Sequence, residues 1–206
     1  MQSEIVFNKG IRLFALDRSH TSCVHRTEFC RSNCYNRKLY RIYPNMHQKD
    51  IRNEQFWDAL DGNMFRRIMG RKKLYTGRFR FCTRGEAFSN FHDVEKVKNI
   101  LVENPEILFW IPTRAWRDKD LRVYLQTEIQ PLRNNRMMAS IDPTNTEDEI
   151  RELKEDKWST LFFGDDEDTK GRVLCPKTWA KWDGYCQVCG GGCFSRRRVD
   201  VHLKKH

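Results

Sequence analysis

Residues 78–112 read RFRFCTRGEAFSNFHDVEKVKNILVENPEILFWIP, and this stretch decides the fold class. Its ends, 78–83 and 107–112, have the length and residue types of strands, the first alternating arginine with phenylalanine and the second mainly apolar, while the middle has apolar residues at helical spacing. The helical positions are Phe91, Val94, Val97, Ile100 and Leu101. Pro105 ends that helix, because proline cannot continue the hydrogen-bond ladder. A strand, a helix and a second strand in this order predict a β-α-β unit with parallel strands.

The same alternation continues on both sides of this unit. Further strand-like runs lie at 11–17, 136–141, 159–164 and 172–175, with helical patterns at about 31–40, 50–70, 121–132 and 146–157. Six predicted strands are too few for the closed eight-stranded barrel, which needs about 250 residues. We therefore predict an α/β fold, a partial (β/α)6 barrel, with a doubly wound sheet as the competing topology. In both topologies the functional face lies at the carboxyl ends of the strands.

The composition excludes two broad classes of protein. The chain has 206 residues, of which 39% are hydrophobic and 12% aromatic, with a net charge of +10 and a mean hydropathy of −0.78. It is too polar for a membrane span of about 20 apolar residues and too aromatic for a disordered chain. The first residues, MQSEIVFNKG, lack the basic and apolar blocks of a secretory signal, so we expect a cytoplasmic protein without membrane association.

Eight cysteines in such a chain indicate metal ligands rather than disulfides. Three of them, Cys23, Cys30 and Cys34, follow the predicted first strand. Three thiolates can hold three irons of a [4Fe-4S] cluster and leave the fourth iron open. A cysteine loop in this place is typical of radical S-adenosylmethionine enzymes, although their usual C-x3-C-x2-C spacing differs from the C-x6-C-x3-C found here. The alternative is three buried cysteines without a metal.

Gly85 and Glu86 follow the predicted second strand. Their Gly-Glu corner is similar to the Gly-Gly-Glu segment with which those enzymes hold the amino group of S-adenosylmethionine, so both are predicted cofactor-binding positions. Cys82 alternates with its neighbours inside that strand and is predicted to be a packed core thiol.

A second set of cysteines lies near the C-terminus, at Cys175, Cys186, Cys189 and Cys193. Four thiols around a C-x2-C pair fit either tetrahedral zinc or a second [4Fe-4S] cluster, and spacing alone does not separate the two. A Cys2His2 zinc finger competes, because residues 186–206 also contain C-x2-C-x12-H-x3-H, ending on His202 and His206. The displaced aromatic residue, Phe194, and the glycines at 190–192 disfavour that finger.

The charge is unevenly distributed along the chain. Residues 147–168 hold ten acidic and three basic residues, so this segment carries −7 and the remainder of the chain +17. The densest basic patch consists of Arg196, Arg197, Arg198, Lys204 and Lys205. A surface this basic favours a phosphate-rich partner such as nucleic acid, or a host protein. A surface that is basic without any such role is the alternative.

Taken in order, the motifs resemble one family. They are 21–23, Cys30, 34–35, 80–81, 85–89, 109–110, 113–114, 175–176, Cys186, Cys189 and Cys193. From about residue 10 to the end, this pattern resembles the phage "gene product 88" family. The resemblance implies a compact relative of the radical S-adenosylmethionine barrels, with iron-sulfur ligation, a viral origin and a location in the host cytoplasm.

We therefore expect a partial barrel over 1–175 and a cysteine-rich, basic metal-binding segment over 176–206. The function that we expect is that of a viral [4Fe-4S] protein, with one or two clusters, whose Glu86 orients S-adenosylmethionine. The first alternative is a non-enzymatic accessory protein, with iron-sulfur or zinc sites, that binds nucleic acid or a host protein. The second is a barrel whose cluster senses redox state without turnover.

Overall fold

The computed structural model describes residues 5–72, 77–165, 171–179, 182, 184–195 and 197–204. The strands are β1 (Val6–Asn8), β2 (Leu13–Leu16), β3 (Arg78–Phe81), β4 (Leu108–Thr113), β5 (Asn135–Ile141), β6 (Ser159–Gly164), β7 (Val173–Leu174) and β8 (Val201–Lys204). The helices are α1 (Glu28–Ser32), α2 (Tyr35–Ile42), α3 (Pro44–Ala59), α4 (Gly62–Gly70), α5 (Phe91–Glu103), α6 (Lys119–Glu128), α7 (Glu147–Glu155) and α8 (Pro176–Trp179).

The strands form one eight-stranded sheet in the order β1-β2-β3-β4-β5-β6-β8-β7. β1 pairs antiparallel with β2, and all the other neighbours are parallel. From β2 to β6 each strand lies beside the strand that precedes it in the sequence, so the order never reverses. A doubly wound sheet reverses its order at a switch point, and that competing topology is therefore wrong. Sequential order is the arrangement of β/α barrels, here with open edges at β1 and β7.

The helices pack on one face of the sheet. Each of α3 to α7 contributes to a single large core, through Phe56, Phe65, Val97, Leu125 and Leu153. The same core contains the strand residues Phe79, Phe109, Ala139 and Phe162. Right-handed crossovers between sequential parallel strands place the connecting helices on one side, which accounts for the common face of α3 to α7.

The other face of the sheet carries a second, smaller core. Because strand residues alternate between faces, Trp110, Met138 and Leu161, each next to one of the strand residues just named, belong to this core, and Leu13 and Val201 join them. Phe194 and the partly buried Cys175, Cys186 and Cys193 pack against them. The C-terminal segment therefore covers the face that the helices leave open.

The sequence misplaced the sixth parallel strand. We expected it at 172–175, but the place beside β6 belongs to β8, and β7 lies outside it at the edge of the sheet. The burial explains the order, since Val201 of β8 is 1% exposed whereas Val173 and Leu174 of β7 are 41% and 39% exposed. The 31–40 and 50–70 helices are each in fact two helices, α1 with α2 and α3 with α4.

The helix ends follow ordinary capping chemistry. The predicted capping box of α7 is confirmed, with Thr146 and Glu149 each bonding to the other's backbone. Asp61 caps α4, which is why the long pattern at 50–70 breaks there. In the part of the chain that the structure describes, no helix combines the length and apolar composition needed to cross a membrane.

Candidate metal centre

The ends of short elements fix the three thiols of the cysteine loop. After β2 the chain makes a 3-10 turn, His20–Ser22, and Cys23 is its C-cap. Thr27 is the N-cap of α1, where its hydroxyl accepts a hydrogen bond of 3.0 Å from the Cys30 backbone N–H. Cys34 is the N-cap residue of α2. Each cysteine therefore lies at an element boundary at the carboxyl edge of the sheet.

The three loop thiols interact electrostatically. The pKa of Cys23 is raised to about 12, mainly by burial, with smaller contributions from the nearby Glu86, Cys30 and Cys34. Burial also raises the pKa of Cys30, with Cys34 adding to the effect and Arg114 opposing it. The three thiols therefore lie near enough to influence one another's charge, while their role as metal ligands stays a prediction.

Charged side chains surround this loop, and they come from the ends of four neighbouring strands. Asp17 follows β2, Arg84 follows β3, Arg114 follows β4 and Asp142 follows β5. Arg84 lies 2.8 Å from Asp17 and 2.7 Å from the fully buried Asp50. The predicted convergence of thiols, carboxylates and arginines at the carboxyl edge is confirmed for these four strands.

Asp142 joins the cysteine loop to this edge of the sheet. Its Oδ2 accepts a 2.5 Å hydrogen bond from the Thr27 hydroxyl and lies 2.9 Å from Nη1 of Arg114. Burial alone would raise the pKa of Asp142, but hydrogen bonds from Thr144 and Thr27, together with Arg114, hold it below its ordinary value. Because Arg114 also hydrogen-bonds to Cys30, the network reaches a candidate ligand directly.

A second buried network, which no sequence pattern indicates, is centred on Arg18, just after β2. Arg18 lies 2.8 Å from both Asp93 and Glu54, and the indole N–H of Trp57 donates to Asp93 at 2.7 Å. Arg18 and Asp93 are 75 positions apart. A pair so far apart in the sequence has no spacing by which it could be recognised; only the predicted strand order could have brought these loops together.

Gly85 occupies a position that requires glycine. Its φ is +81°, and a Cβ atom there would lie 2.6 Å from the carbonyl oxygen of Arg18. The loops after β2 and β3 touch at this point, since the Arg18 N–H donates to the Arg84 carbonyl at 3.0 Å. Gly85 therefore sets the distance between these loops.

The buried carboxylate of Glu86 is fully engaged by the protein. Oε1 accepts hydrogen bonds from the backbone N–H groups of Ala87 at 2.9 Å and Phe88 at 3.3 Å, and Oε2 accepts from that of Arg114 at 2.8 Å. The Thr113 side chain supplies another hydrogen bond. Burial raises the pKa of Glu86, and these hydrogen bonds oppose the rise. A carboxylate has about four acceptor positions, so Glu86 ties the loop after β3 to the loop after β4. Its predicted contact with a cofactor stays a prediction.

The second set of thiols lines one cavity on the face without helices. Cys175, Cys186, Cys189 and Cys193 share it with Trp110, Phe194 and Val201. Arg78 donates to the Cys186 carbonyl at 3.3 Å, and Arg136 donates to the Phe194 carbonyl at 3.4 Å. These arginines lie near the starts of β3 and β5, so Cys186 and Phe194 lie toward the amino edge of the sheet, whereas Cys175 follows the end of β7.

Arg80 lies between the two sets of thiols. Its guanidinium stacks on the Trp110 ring, 4.2 Å from the ring centre, and opposes the rise in the pKa of both Cys186 and Cys193. Burial is the main cause of that rise and brings the pKa of Cys193 to about 12. Arg80 also acts on Tyr35, which follows Cys34 in the first set. In the sequence, Arg80 stands out only as part of a family motif, and no spacing predicts its position between the two sets.

The residue types fit a thiolate-bound metal, whereas the side chains do not yet form a coordination shell. All eight cysteines are free thiols. Among the described residues, no three Cys, His, Asp or Glu side chains are placed to share one ion. Soft thiol ligands in sets of three and four are the donors that iron-sulfur clusters and zinc require. The residue types and their proximity therefore fit a metal site, while the coordination geometry is not formed.

The zinc-finger interpretation is not supported by the position of His202. Its ring packs between Phe162 and Trp179, with centroids 4.7 Å and 5.0 Å away, and contacts the Gly164 carbonyl. Val201 faces the thiol cavity, so its neighbour His202 points to the opposite face of the sheet. His206 lies outside the described residues, as do Arg196 and Lys205 of the predicted basic patch.

Cys82 is 4% exposed and belongs to the large core, which confirms the prediction of a packed thiol. It follows β3 instead of lying inside it, and its backbone has a φ of 55°.

The fold and the site define a mixed α/β protein with a sequential, mainly parallel sheet and two groups of free thiols. A family model described as Gene product 88 matches residues 6–197, and the chain belongs to this family of phage gene products. No curated protein and no solved structure matches the chain.

Proposed function

We propose that this protein is an iron-sulfur protein in which Cys23, Cys30 and Cys34 hold three irons of a [4Fe-4S] cluster. The observation that carries the proposal is the grouping of these thiols in one loop at the carboxyl edge of a sequential parallel sheet. That edge is where β/α barrels place their functional groups. The one-sided helices and the strand order support a partial barrel related to the radical S-adenosylmethionine enzymes.

The four C-terminal thiols form a second metal centre in this proposal. Their shared cavity, and their separation from the loop thiols along the sheet, support two centres over one. A second [4Fe-4S] cluster and a structural zinc ion both suit four thiolates. Arg80 and Lys177, which act on Cys186 electrostatically, would offset the negative charge of either centre.

In the enzymatic form of the proposal, the cluster supplies one-electron reduction of S-adenosylmethionine bound at its open iron. The chain holds the cysteine loop in place through Thr27, Asp142 and Arg114. Gly85 and Glu86 set the spacing of the loops after β2, β3 and β4. These loops lie at the same carboxyl edge of the sheet as the cysteine loop. The protein would act in the host cytoplasm, where thiols remain reduced.

Anaerobic reconstitution with iron and sulfide tests this proposal. The wild type should gain iron and acid-labile sulfide and show an electron paramagnetic resonance signal after reduction. The triple variant Cys23→Ala, Cys30→Ala, Cys34→Ala should lose about four irons per chain. Cys82→Ala, which removes a core thiol outside both sets, should retain all of them. A wild type that takes up only zinc would overturn the proposal.

A second candidate is a metal-stabilised accessory protein without turnover. The observation that favours it is the engaged carboxylate of Glu86, whose acceptor positions are already used by the protein. Its partner would be nucleic acid or a host protein, attracted by the +17 charge of the chain outside residues 147–168. Cleavage of S-adenosylmethionine by the reduced, reconstituted protein would exclude this candidate, and would equally exclude a cluster that only senses redox state.

A further inference from the structure

A basic cavity lies at the amino edge of the sheet, at the opposite end from the cysteine loop. Its volume is about 380 Å³. Three loops form it, and they precede β5, β6 and β8, which are neighbours in the sheet. Because parallel neighbours start at the same edge, segments far apart in the sequence meet here.

Each of the three loops contributes cations. The lining includes Arg133, Arg136, Lys157, Arg197 and Arg198, and it includes no acidic residue. Arg133, Lys157, Arg197 and Arg198 are exposed. Within the described residues, none of these four has a carboxylate within ion-pair distance. Four exposed cations without acidic partners keep their charge available for an anionic ligand.

The remaining arginine is held in position by the backbone. Arg136 donates to the Arg133 carbonyl at 2.9 Å and to the Phe194 carbonyl at 3.4 Å. Lys157 is oriented by the end of α7, where its φ of 65° and the hydrogen bond from its N–H to the Lys154 carbonyl close the helix. The cavity is therefore built on backbone positions fixed by hydrogen bonds and presents exposed cationic side chains.

The lining also indicates that the cavity does not recognise nucleic-acid bases. Its one aromatic residue, Trp158, is 3% exposed and offers no ring face for stacking on a base. The other polar side chains of the lining are Ser159, Ser195, Gln130 and Asn135, and the amide groups of Gln130 and Asn135 already donate to backbone carbonyls. The chemistry offered is phosphate binding, without base recognition.

We propose that this cavity binds the phosphate backbone of a nucleic-acid strand without sequence preference. The net charge of the chain favours a polyanion over a single small anion, because the cations extend over three loops. The proposal deepens the second candidate function by assigning its partner and its site. None of its cations is a ligand of the proposed metal centres, although Ser195 of the cavity follows Cys193 and Phe194 of the second thiol set directly along the chain.

Fluorescence anisotropy with labelled 20-nucleotide DNA and RNA strands tests the proposal across a series of KCl concentrations. The test variant is Arg133→Gln, Lys157→Gln, Arg197→Gln, Arg198→Gln. Each phosphate contact contributes about 0.7 to the slope of log affinity against log salt for single strands. The variant should lose about 3 units of slope and weaken binding at least about tenfold at 0.1 M KCl, equally for strands of different sequence.

A matched variant separates the cavity from the overall charge. Arg52, Arg66, Arg67 and Lys119 are exposed on α3, α4 and α6, and have no acidic partner within the described residues. Changing these four to Gln removes the same charge and should leave the slope within about half a unit of wild type. Equal losses in both variants would overturn the assignment of the cavity, as would absence of binding by the wild type.

Inorganic tripolyphosphate distinguishes a nucleic-acid site from a site for small phosphates. The strand should bind more tightly than tripolyphosphate, whose three phosphates cannot reach all of the cations. Tighter, stoichiometric binding of tripolyphosphate would contradict the assignment to nucleic acid. Iron content, measured on the same samples, should be equal in the cavity variant and wild type, so failure of binding and failure of metal incorporation remain distinguishable.

Discussion

Asp142 shows how single residues connect the cysteine loop to the sheet. It is fully buried, accepts a hydrogen bond from the Thr27 hydroxyl and forms an ion pair with the Arg114 guanidinium. Both interactions stabilise its negative charge. Removing one partner of a buried ion pair is costly because the other charge is then left uncompensated. The loop geometry therefore depends on the ionised form of this side chain.

Asp142→Asn should lower the free energy of unfolding by about 3 kcal/mol at pH 7, because it leaves Arg114 buried without its counter-charge. The pKa of Asp142 is lowered in the folded state, so its contribution is complete above the unfolded value of about 3.9 and is lost as pH falls below that. Urea denaturation between pH 7 and pH 3 measures this difference, which should shrink at the acidic end.

The control is Asp148→Asn, since Asp148 is exposed on α7 and, among the residues that the structure describes, pairs with the exposed Arg151 alone. Its effect should stay within about 0.5 kcal/mol at every pH. A difference for Asp142→Asn that is unchanged from pH 7 to pH 3 would contradict the role given to its charge.

Gly85→Ala tests the contact between the loops after β2 and β3. Both Gly85 and Gly171 have positive φ, at +81° and +73°, but only Gly85 has backbone atoms in the place of a Cβ. Gly171→Ala should therefore lower the free energy of unfolding by about 1 to 2 kcal/mol, the strain of a left-handed backbone with a Cβ atom. Gly85→Ala should lower it by at least about 3 kcal/mol, because the clash adds to that strain. Thermal denaturation of the two variants provides the comparison, and equal costs would show that the predicted clash is absent.

At the residue level, the sequence predicted which groups lie at the strand ends but not how they are used. Cys23, Arg84 and Asp142 were placed by the strand order alone, since residues that follow parallel strands share one edge. The partnerships of Arg18 with Asp93 and of Glu86 with backbone N–H groups depend on loop conformation. Periodicity contains no information about such conformations.

At the level of elements, β8 is the strand that makes the C-terminal segment part of the sheet. It lies between β6 and β7, and Val201 faces the thiol cavity while its register partner Val173 lies on the edge strand. The position of the four C-terminal thiols therefore depends on a strand of four residues.

Val201→Ala should cost about 2 kcal/mol in unfolding free energy, because it removes buried methyl groups from the small core. Val173→Ala makes the same chemical change at a residue that is 41% exposed and should cost less than about 0.5 kcal/mol. Guanidinium denaturation measures both variants. Similar losses of unfolding free energy in the two variants would contradict the buried position of β8 between β6 and β7.

The long elements were predictable because their apolar patterns are long. β4 and β5 were predicted within about two residues, and α5 from its five apolar positions. β1 and β8 were missed, since three or four residues are too few to show a period. In the C-terminal segment the cysteine and histidine spacing predicts a metal site, and the same residues include the strand VHLK.

At the level of the whole molecule, the candidate sites lie at different positions along the strand direction. The loop thiols and the charged network lie at the carboxyl edge, and the four-thiol cavity lies lower on the face without helices. The basic cavity lies at the amino edge, beside the end of the acidic helix α7. A sequential sheet produces this separation, because all the loops after strands share one edge and all the loops before them share the other.

The metal content of the protein, purified anaerobically without reconstitution, tests the central claim most directly. Elemental analysis of iron and zinc per chain should find about four irons if only the cysteine loop is occupied, and about eight if both thiol sets hold clusters. About four irons with one zinc would assign the zinc to the C-terminal set. Zinc without iron, or the same iron content in the Cys23→Ala, Cys30→Ala, Cys34→Ala variant, would contradict the account.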